Sequence, residues 1–540
     1  MVSIEDIISR YDVISFDIFD TLLLRCYRKP SDIWEAVEEE SGCVGFAKAR
    51  ANADSIAYHA AIKRNSDAKL DDIYSIMPQG MNLKEEELEY ERKSLFVNPT
   101  IADVWEKAGS MGKKRVIISD MYLPSDFLEE VLIQNGIKGW DGFYVSCERG
   151  TRKSTGGLYR IMLSEMGVEP QRVLHIGDNL ESDGVQARKL GIETHIVPKV
   201  VDSFIDENAW LKEFLKCNNS LCARHLVGSL AIASNELSHV SGIDYRHSFE
   251  KFGALLGGVL AAGSVDMIVK EACEQRLNRL VFVARDGYVL EKILNKVAPE
   301  IKTQYVYAPR CVVESKDFDV VREYKRYVES LGLCSGKVGV VDGVSMHFSA
   351  QRLLEEMSGV KLFGFYIVAF SRLGWGGGRA FISVPNRHLG WQHMVEFLFS
   401  APHAPVENVR DGKPVYISKI NEDERYKISV YPRVANSLIE TATRLLKYGV
   451  TLTPEVWLDY IESYIRNMPE EDREVIDGLR NAVDAKHSIY EPLLFTPKQW
   501  VVCTKKKIPY KLSHFERVGL KMKRTDYLFG FLRKTSYIDL

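Results

Sequence analysis

The stretch VISFDIFDTLLLR, residues 13–25, decides the reading of this chain. An apolar run ends at Asp17, a second acid follows at Asp20 and a threonine at Thr21, and apolar residues then resume. Such a run reads as a buried strand that delivers a carboxylate to a sheet edge. Further short β-branched runs follow at 115–120 (RVIISD), 142–146 (GFYVS), 172–178 (RVLHIGD) and 193–197 (ETHIV). Helical patterns separate the later ones, for example LPSDFLEEVLIQNG at 123–136, where Gly136 is a helix stop. Strand and helix in alternation predict a parallel sheet covered on both faces.

Residues 29–98 break that rhythm. SDIWEAVEEE, FAKARANADSIAYHAAIK, LDDIYSIM and KEEELEYERKSLF all carry helical periodicity with dense charge. They predict an all-helical insertion after the first strand, placed to act as a lid over the strand ends.

The chain has 540 residues, too many for one ordinary core, so several domains are expected. The core is assigned to 1–28 and 99–200, the helical cap to 29–98 and a helical connector to 201–245. A second α/β domain is assigned to 246–410 and a mostly helical region with a basic tail to 411–540. The composition is 46% hydrophobic and 27% charged with a formal net charge of −3, which points away from nucleic acid. Nine cysteines without CxxC pairs suggest neither a zinc site nor a disulfide framework, and the simple reading is a reducing, cytoplasmic setting. The N-terminus lacks the pattern of a signal peptide. The most apolar window, 252–269, is Gly-rich and interrupted by Asp266, as expected of a closely packed buried helix rather than a membrane span.

Four strand ends carry polar residues of defined types: Asp17 with Thr21, then Ser119, then Lys153 after the third, then GDNLESD with Asp178 and Asp183. In an open α/β sheet these ends converge on one crevice. The set is coherent for phosphoryl transfer. A carboxylate attacks phosphorus, while a hydroxyl, an ammonium and Mg²⁺ meet the charge on the other oxygens. Asp17, the carbonyl of Phe19, Asp178 and Asp183 are the candidate Mg²⁺ ligands.

This order of motifs resembles the haloacid dehalogenase-like (HAD) superfamily of the type with a helical cap, over residues 10–200. The resemblance implies a Rossmann-like parallel sheet with Asp17 as nucleophile. It implies Ser119 and Lys153 as phosphoryl-binding groups and Asp178 with Asp183 as metal-site acids. Thr21, Asp120 and Asn179 are expected to line the phosphate site with them. FDIFDTLLLR, SDMYLPSDF, KSTGGLY and IGDN, with ARDGY and EFLFSAPHAPVENV further on, are similar to a narrower group. Those are two-domain hydrolases associated with bacterial surface-polysaccharide genes. The implied substrate is a small phosphorylated metabolite, a sugar phosphate or a lipid-linked glycan precursor foremost.

One position departs from the pattern. Phosphatases of this superfamily place an acid two residues after the nucleophile, to protonate the leaving group and activate water. Here that position is Phe19, and Asp20 comes one residue later. An aromatic there is similar to the metal-independent dehalogenase branch, but the acidic GDNLESD segment argues for a metal. Asp20 is therefore either a displaced acid–base or a turn residue capping local amides. The alternative function is a phosphate-binding module with weak or no turnover, serving the second domain or a protein partner.

In the second half, RLVFVARDG (279–287), TQYVYAPR (303–310), KVGVVDG (337–343) and LFGFYIVAF (362–370) repeat the βα pattern. Arg285, Asp286, Arg310 and Asp342 stand at their ends and form a second candidate crevice, where guanidinium groups suit phosphate or carboxylate. The Gly-rich segment 373–381 reads as a hairpin. The tail 504–534 is rich in Lys and Arg with aromatic residues interleaved, and reads either as a solvated terminal helix docking on the acidic cap or as a patch for peripheral contact at the inner face of a membrane.

Overall fold

The computed structural model describes residues 4–482, apart from 65, 244, 314, 346, 371–376 and 384–390, together with 490–494. The basic tail therefore lies outside the described residues. The chain divides into two compact units, one of residues 1–215 and 219–242, the other of 216–218 and 243–540.

In the first unit β1 (Val13–Phe16) leads through Asp17 into β2 (Leu23–Arg25), which pairs antiparallel with β3 (Leu95–Val97). This two-stranded ribbon joins the ends of the insertion. The insertion itself is helical over Asp32–Ser41, Phe46–Lys63, Leu70–Tyr74 and Lys84–Ser94. Its interior holds a buried ion pair: the Arg50 guanidinium donates twice to Glu87, at 2.8 Å each, and lies over the Trp34 ring at 4.6 Å. Burying a charge is costly unless it is paired. Two parallel hydrogen bonds and an aromatic face meet that condition, which explains the dense charge of an insertion that nonetheless packs.

The sheet is completed by β4 (Lys114–Ser119), β5 (Gly142–Val145), β6 (Val173–Gly177) and β7 (Glu193–Ile196). All pairings are parallel in the order β5-β4-β1-β6-β7. The central strands β1 and β6 are buried along their whole length and β4 over its last four residues, because both faces are covered there. Ile14 and Phe16 pack with Trp105 and Ile117 in one cluster, while Val13 packs with Val116, Ile118 and Tyr159 in the other. The chain winds from β1 outward through β4 to β5, then returns to β6 on the opposite side of β1. Strand order reverses there, so the carboxyl ends of β1, β4 and β6 open onto a crevice.

The helix Leu221–Val240 belongs with this first unit. Its Gly228 lies against the backbone of Cys26, where an added Cβ would sit 2.4 Å from the carbonyl oxygen. Gly228→Ala must push the helix off the ribbon. It is expected to cost about 1–3 kcal/mol, the range for overpacking, read as a lowered denaturation midpoint at unchanged slope.

The second unit also holds a parallel sheet, formed by β8 (Arg279–Val283), β9 (Lys302–Val306), β10 (Val338–Ser345), β11 (Phe363–Ala369) and β12 (Gly378–Ser383). The order is β12-β11-β10-β8-β9. β12 corrects the sequence reading of 373–381 as a hairpin. Gly378 lies so close to the Gly364 carbonyl that a Cβ would fall at 2.7 Å, and this close approach seats a parallel edge strand. A hairpin of β13 (Val406–Arg410) and β14 (Lys413–Tyr416) precedes the helices Glu422–Lys447, Pro454–Arg466 and Glu470–Asp477.

The apolar segment Ser248–Glu274 is long and apolar enough to cross a membrane, yet 83% of its most apolar window is buried inside the protein. Gly253 there meets the backbone of Val434, where a Cβ would fall 2.3 Å from the carbonyl oxygen. Gly257 and Gly258 meet Leu438 and Thr441 of the same helix Glu422–Lys447, while Gly263 lies against Phe381 and Leu452.

Candidate phosphoryl-transfer site

Asp17 is the first residue beyond β1, and its amide donates to the Ile176 carbonyl at 2.9 Å, which extends the β1–β6 pairing by one residue. Its carboxylate is thereby presented at the sheet edge. Lys153 arrives from the loop after β5, almost fully buried, with its Nζ 2.8 Å from Asp17 Oδ1 and 2.6 Å from Asp183 Oδ1. Asp120 holds that loop in place. It accepts from the Lys153 amide at 2.7 Å and the Ser154 amide at 3.3 Å, so its side chain secures the lysine loop. Ser119, the last residue of β4, is buried on the neighbouring strand. Thr21 is also fully buried.

Asp183 is anchored from several sides. Oδ2 accepts from the Asn179 amide at 3.0 Å, and His175 Nε2 lies 3.3 Å from Oδ1. His175 is itself fixed, for its Nδ1 is 2.8 Å from Ser15 Oγ, and the two residues are register partners on β6 and β1. The Asn179 side chain accepts from the amides of Glu181 and Ser182, so it caps the turn after β6. The sequence signal for His175 was present but unused: a histidine in the middle of an apolar strand needs a buried partner.

Electrostatics distinguish the three acids. Burial pushes Asp183 upward, but Lys153 and His175 outweigh it and hold the carboxyl far below its usual range. Burial raises Asp17, and Lys153 offsets this only in part. Asp178 is pushed up to about 7, first by burial and then by the charge of Asp17, against the pull of Lys199. Asp17, Asp178 and Asp183 each place an oxygen within 4.8 Å of the others. Hard oxygen donors gathered in this way could hold a divalent cation through Asp17, Asp178 and Asp183 with the Phe19 carbonyl, and Asp183 also holds Lys153.

A pH test follows. Asp178 titrates near 7 when folded but near its ordinary 3.8 when unfolded, so between those values the folded state holds the extra proton. Stability without metal should therefore fall as pH rises through that window. Added Mg²⁺ should raise the melting temperature more at about pH 8 than at about pH 5.5, because at low pH the ion must displace a proton.

Phe19 and Asp20, which follow Asp17, face different neighbours. The Phe19 ring packs at the core edge with the Arg25 guanidinium 5.0 Å above it, and Arg25 donates to the buried Glu91 at 2.8 Å. Asp20 adopts a left-handed backbone, φ 52°, and its carboxylate turns toward Lys199, whose Nζ lies 3.5 Å from Oδ2. Lys199 follows β7, and it too was missed in the sequence, since a lysine after the last strand of a sheet has no motif to mark it.

A family model described as HAD-hydrolase-like matches residues 150–203. The match spans Lys153, Asp178 and Asp183. No curated protein matches the chain. Among solved structures, the chain is similar to L-2-haloacid dehalogenase from Xanthobacter autotrophicus, at 16% identity and a TM-score of 0.30, over 40% of this chain and 86% of that one. It is also similar to a HAD family enzyme from Bacteroides thetaiotaomicron in complex with magnesium and inorganic phosphate, at 13% identity and a TM-score of 0.26, over 35% and 95%. A predicted phosphoglycolate phosphatase from Haemophilus somnus is similar at 14% identity and a TM-score of 0.25, over 35% and 90%.

In the second unit the candidates separate. Asp286 lies directly over Gly343, where an added Cβ would be 2.4 Å from its Oδ2, and that oxygen accepts from the Val344 amide at 3.4 Å. Asp342 accepts from the Gly343 amide at 3.0 Å. Burial and then the charge of Asp342 push Asp286 up to about 7, and burial pushes Asp342 up to about 6, with Arg310 opposing both. Arg285 does not join Arg310 as a ligand fork. It is paired with the buried Glu424, which Lys427 approaches at 3.0 Å from the next helical turn. Sequence spacing could not foretell that partner, because Glu424 lies on a helix well over a hundred residues away.

Proposed function

We propose that this chain is a Mg²⁺-dependent phosphatase or phosphotransferase that works through an aspartyl-phosphate. The observation that carries the reading is Lys153, buried between Asp17 and Asp183 with Asp178 beside them at the strand ends. The Asp17 carboxylate attacks phosphorus and the phosphate ester bond breaks. The leaving oxygen departs with its electron pair and takes a proton, and water then attacks phosphorus to free Asp17 and inorganic phosphate. Lys153 and Ser119 would bind the non-bridging oxygens, and bound Mg²⁺ supplies further charge neutralisation. The substrate class that fits the cap and the sequence resemblance is a small phosphorylated metabolite, with a sugar phosphate of surface-polysaccharide metabolism the favoured member. A cytoplasmic enzyme acting near the inner membrane face accords with the basic tail.

The test is phosphate release from an aryl phosphate and from a panel of phosphosugars, with and without Mg²⁺. A folded protein inert across both would overturn the assignment.

The second reading is a phosphate-binding module with little turnover. It is favoured by Phe19, whose ring is held under Arg25 where an acid would serve the leaving group. General acid–base assistance is worth about 10²–10⁴-fold, so slow turnover relative to acid-bearing phosphatases is expected even under the first reading. In the second unit Asp286, Asp342 and Arg310 are proposed as a separate ligand site at the strand ends, with Arg285 a structural partner of Glu424.

A further inference from the structure

The acidic crevice holds two ammonium groups that differ in kind. Lys153 is shared by Asp17 and Asp183 and is only 2% exposed. Lys199 is shared by Asp178, at 3.2 Å, and Asp20, at 3.5 Å, and its side chain is 45% exposed. Each ammonium thus stands between two carboxylates. With all four acids ionised, two negative charges remain, the charge of one divalent cation. Lys153 cannot leave, because its loop is clamped by Asp120 and its path is closed by burial. Lys199 can leave, because it is the exposed N-cap residue of the helix Val200–Glu207 just after β7 and reaches Asp178 from the adjacent strand exit.

We propose that Lys199 is a displaceable counter-ion. It holds Asp178 and Asp20 when no divalent cation is bound, must swing out for the cation to reach Asp178, and so sets the cation affinity of the site. The inference rests on the metal-site reading above. Asp20 has a left-handed backbone, and its carboxylate lies on the side from which Lys199 enters. Asp20 then keeps the lysine near the crevice after Asp178 is given up. A like charge that must move, or stay close by, weakens cation binding.

The test is direct binding of Mn²⁺ to the full chain, followed by the loss of the free-ion electron paramagnetic resonance signal, without substrate or turnover. Lys199→Met should bind Mn²⁺ about tenfold more tightly than wild type, the effect of one charge at this range reduced by partial exposure. Lys199→Arg keeps the charge and should bind as wild type does. Unchanged or weaker binding in Lys199→Met, with wild-type binding present and lost in Asp178→Asn, overturns the role of Lys199 and leaves the metal site standing. Absence of Mn²⁺ binding from wild type and Lys199→Met alike overturns both.

Discussion

Asp17→Asn is expected to lower Mg²⁺-dependent hydrolysis of an aryl phosphate by about 10⁴-fold or more, since removing a nucleophile removes the covalent route. The substitution is nearly isosteric and takes a carboxylate away from a buried position where its ionisation is already disfavoured. Lys153 retains Asp183 at 2.6 Å. The fold should therefore persist, and the metal-free melting temperature should stay level or rise. The two readouts together isolate chemistry from folding: a rate collapse with an intact melt identifies Asp17 as the nucleophile. Equal rates for wild type and variant would show that any phosphate release arises elsewhere.

Lys153→Met should affect both quantities. It removes the charge that faces the phosphoryl oxygens, a loss of about 10²–10³-fold by the standard of a single electrostatic donor. It also strands Asp17 and Asp183 in a buried site without their shared cation, which costs about 3–5 kcal/mol when one member of a buried pair is deleted. The stability loss should be largest at neutral to alkaline pH. In the wild type Asp183 is held far below its usual range, so its contribution persists until the pH falls well below 3.8. Without Lys153 that carboxyl rises, and protonation in mild acid relieves the repulsion. Urea midpoints of the two proteins should converge as the pH is lowered toward about 5. A loss independent of pH would assign Lys153 a packing role only.

Much of the first unit was legible because the signals are local. Buried parallel strands are apolar runs, and β1, β4 and β6 end at or next to the polar residues Asp17, Ser119 and Asp178. The insertion was legible from helical periodicity alone. Asp120 and Asn179 show where local reading stops. Both are polar residues at strand ends, yet one clamps the Lys153 loop and the other caps a turn, and that division depends on which amides are left unpaired nearby. Arg285 is the same case over a longer distance, paired with Glu424 from a remote helix.

Phe19 and Asp20 mark the boundary between the two kinds of information. The sequence by itself determined that an acid is missing two residues after Asp17 and that another stands one residue later. It also determined the strand–helix alternation and the four motif positions, because hydrophobic period and residue type are properties of short segments. Only the tertiary structure decided that Phe19 packs beneath Arg25, that Asp20 turns to Lys199, and that His175 supports Asp183. The Asp20–Lys199 contact, and the Ser15–His175 contact that fixes the histidine, join residues 179 and 160 positions apart. No local pattern constrains them, since a side chain's partner is fixed by which strand lies next to its own.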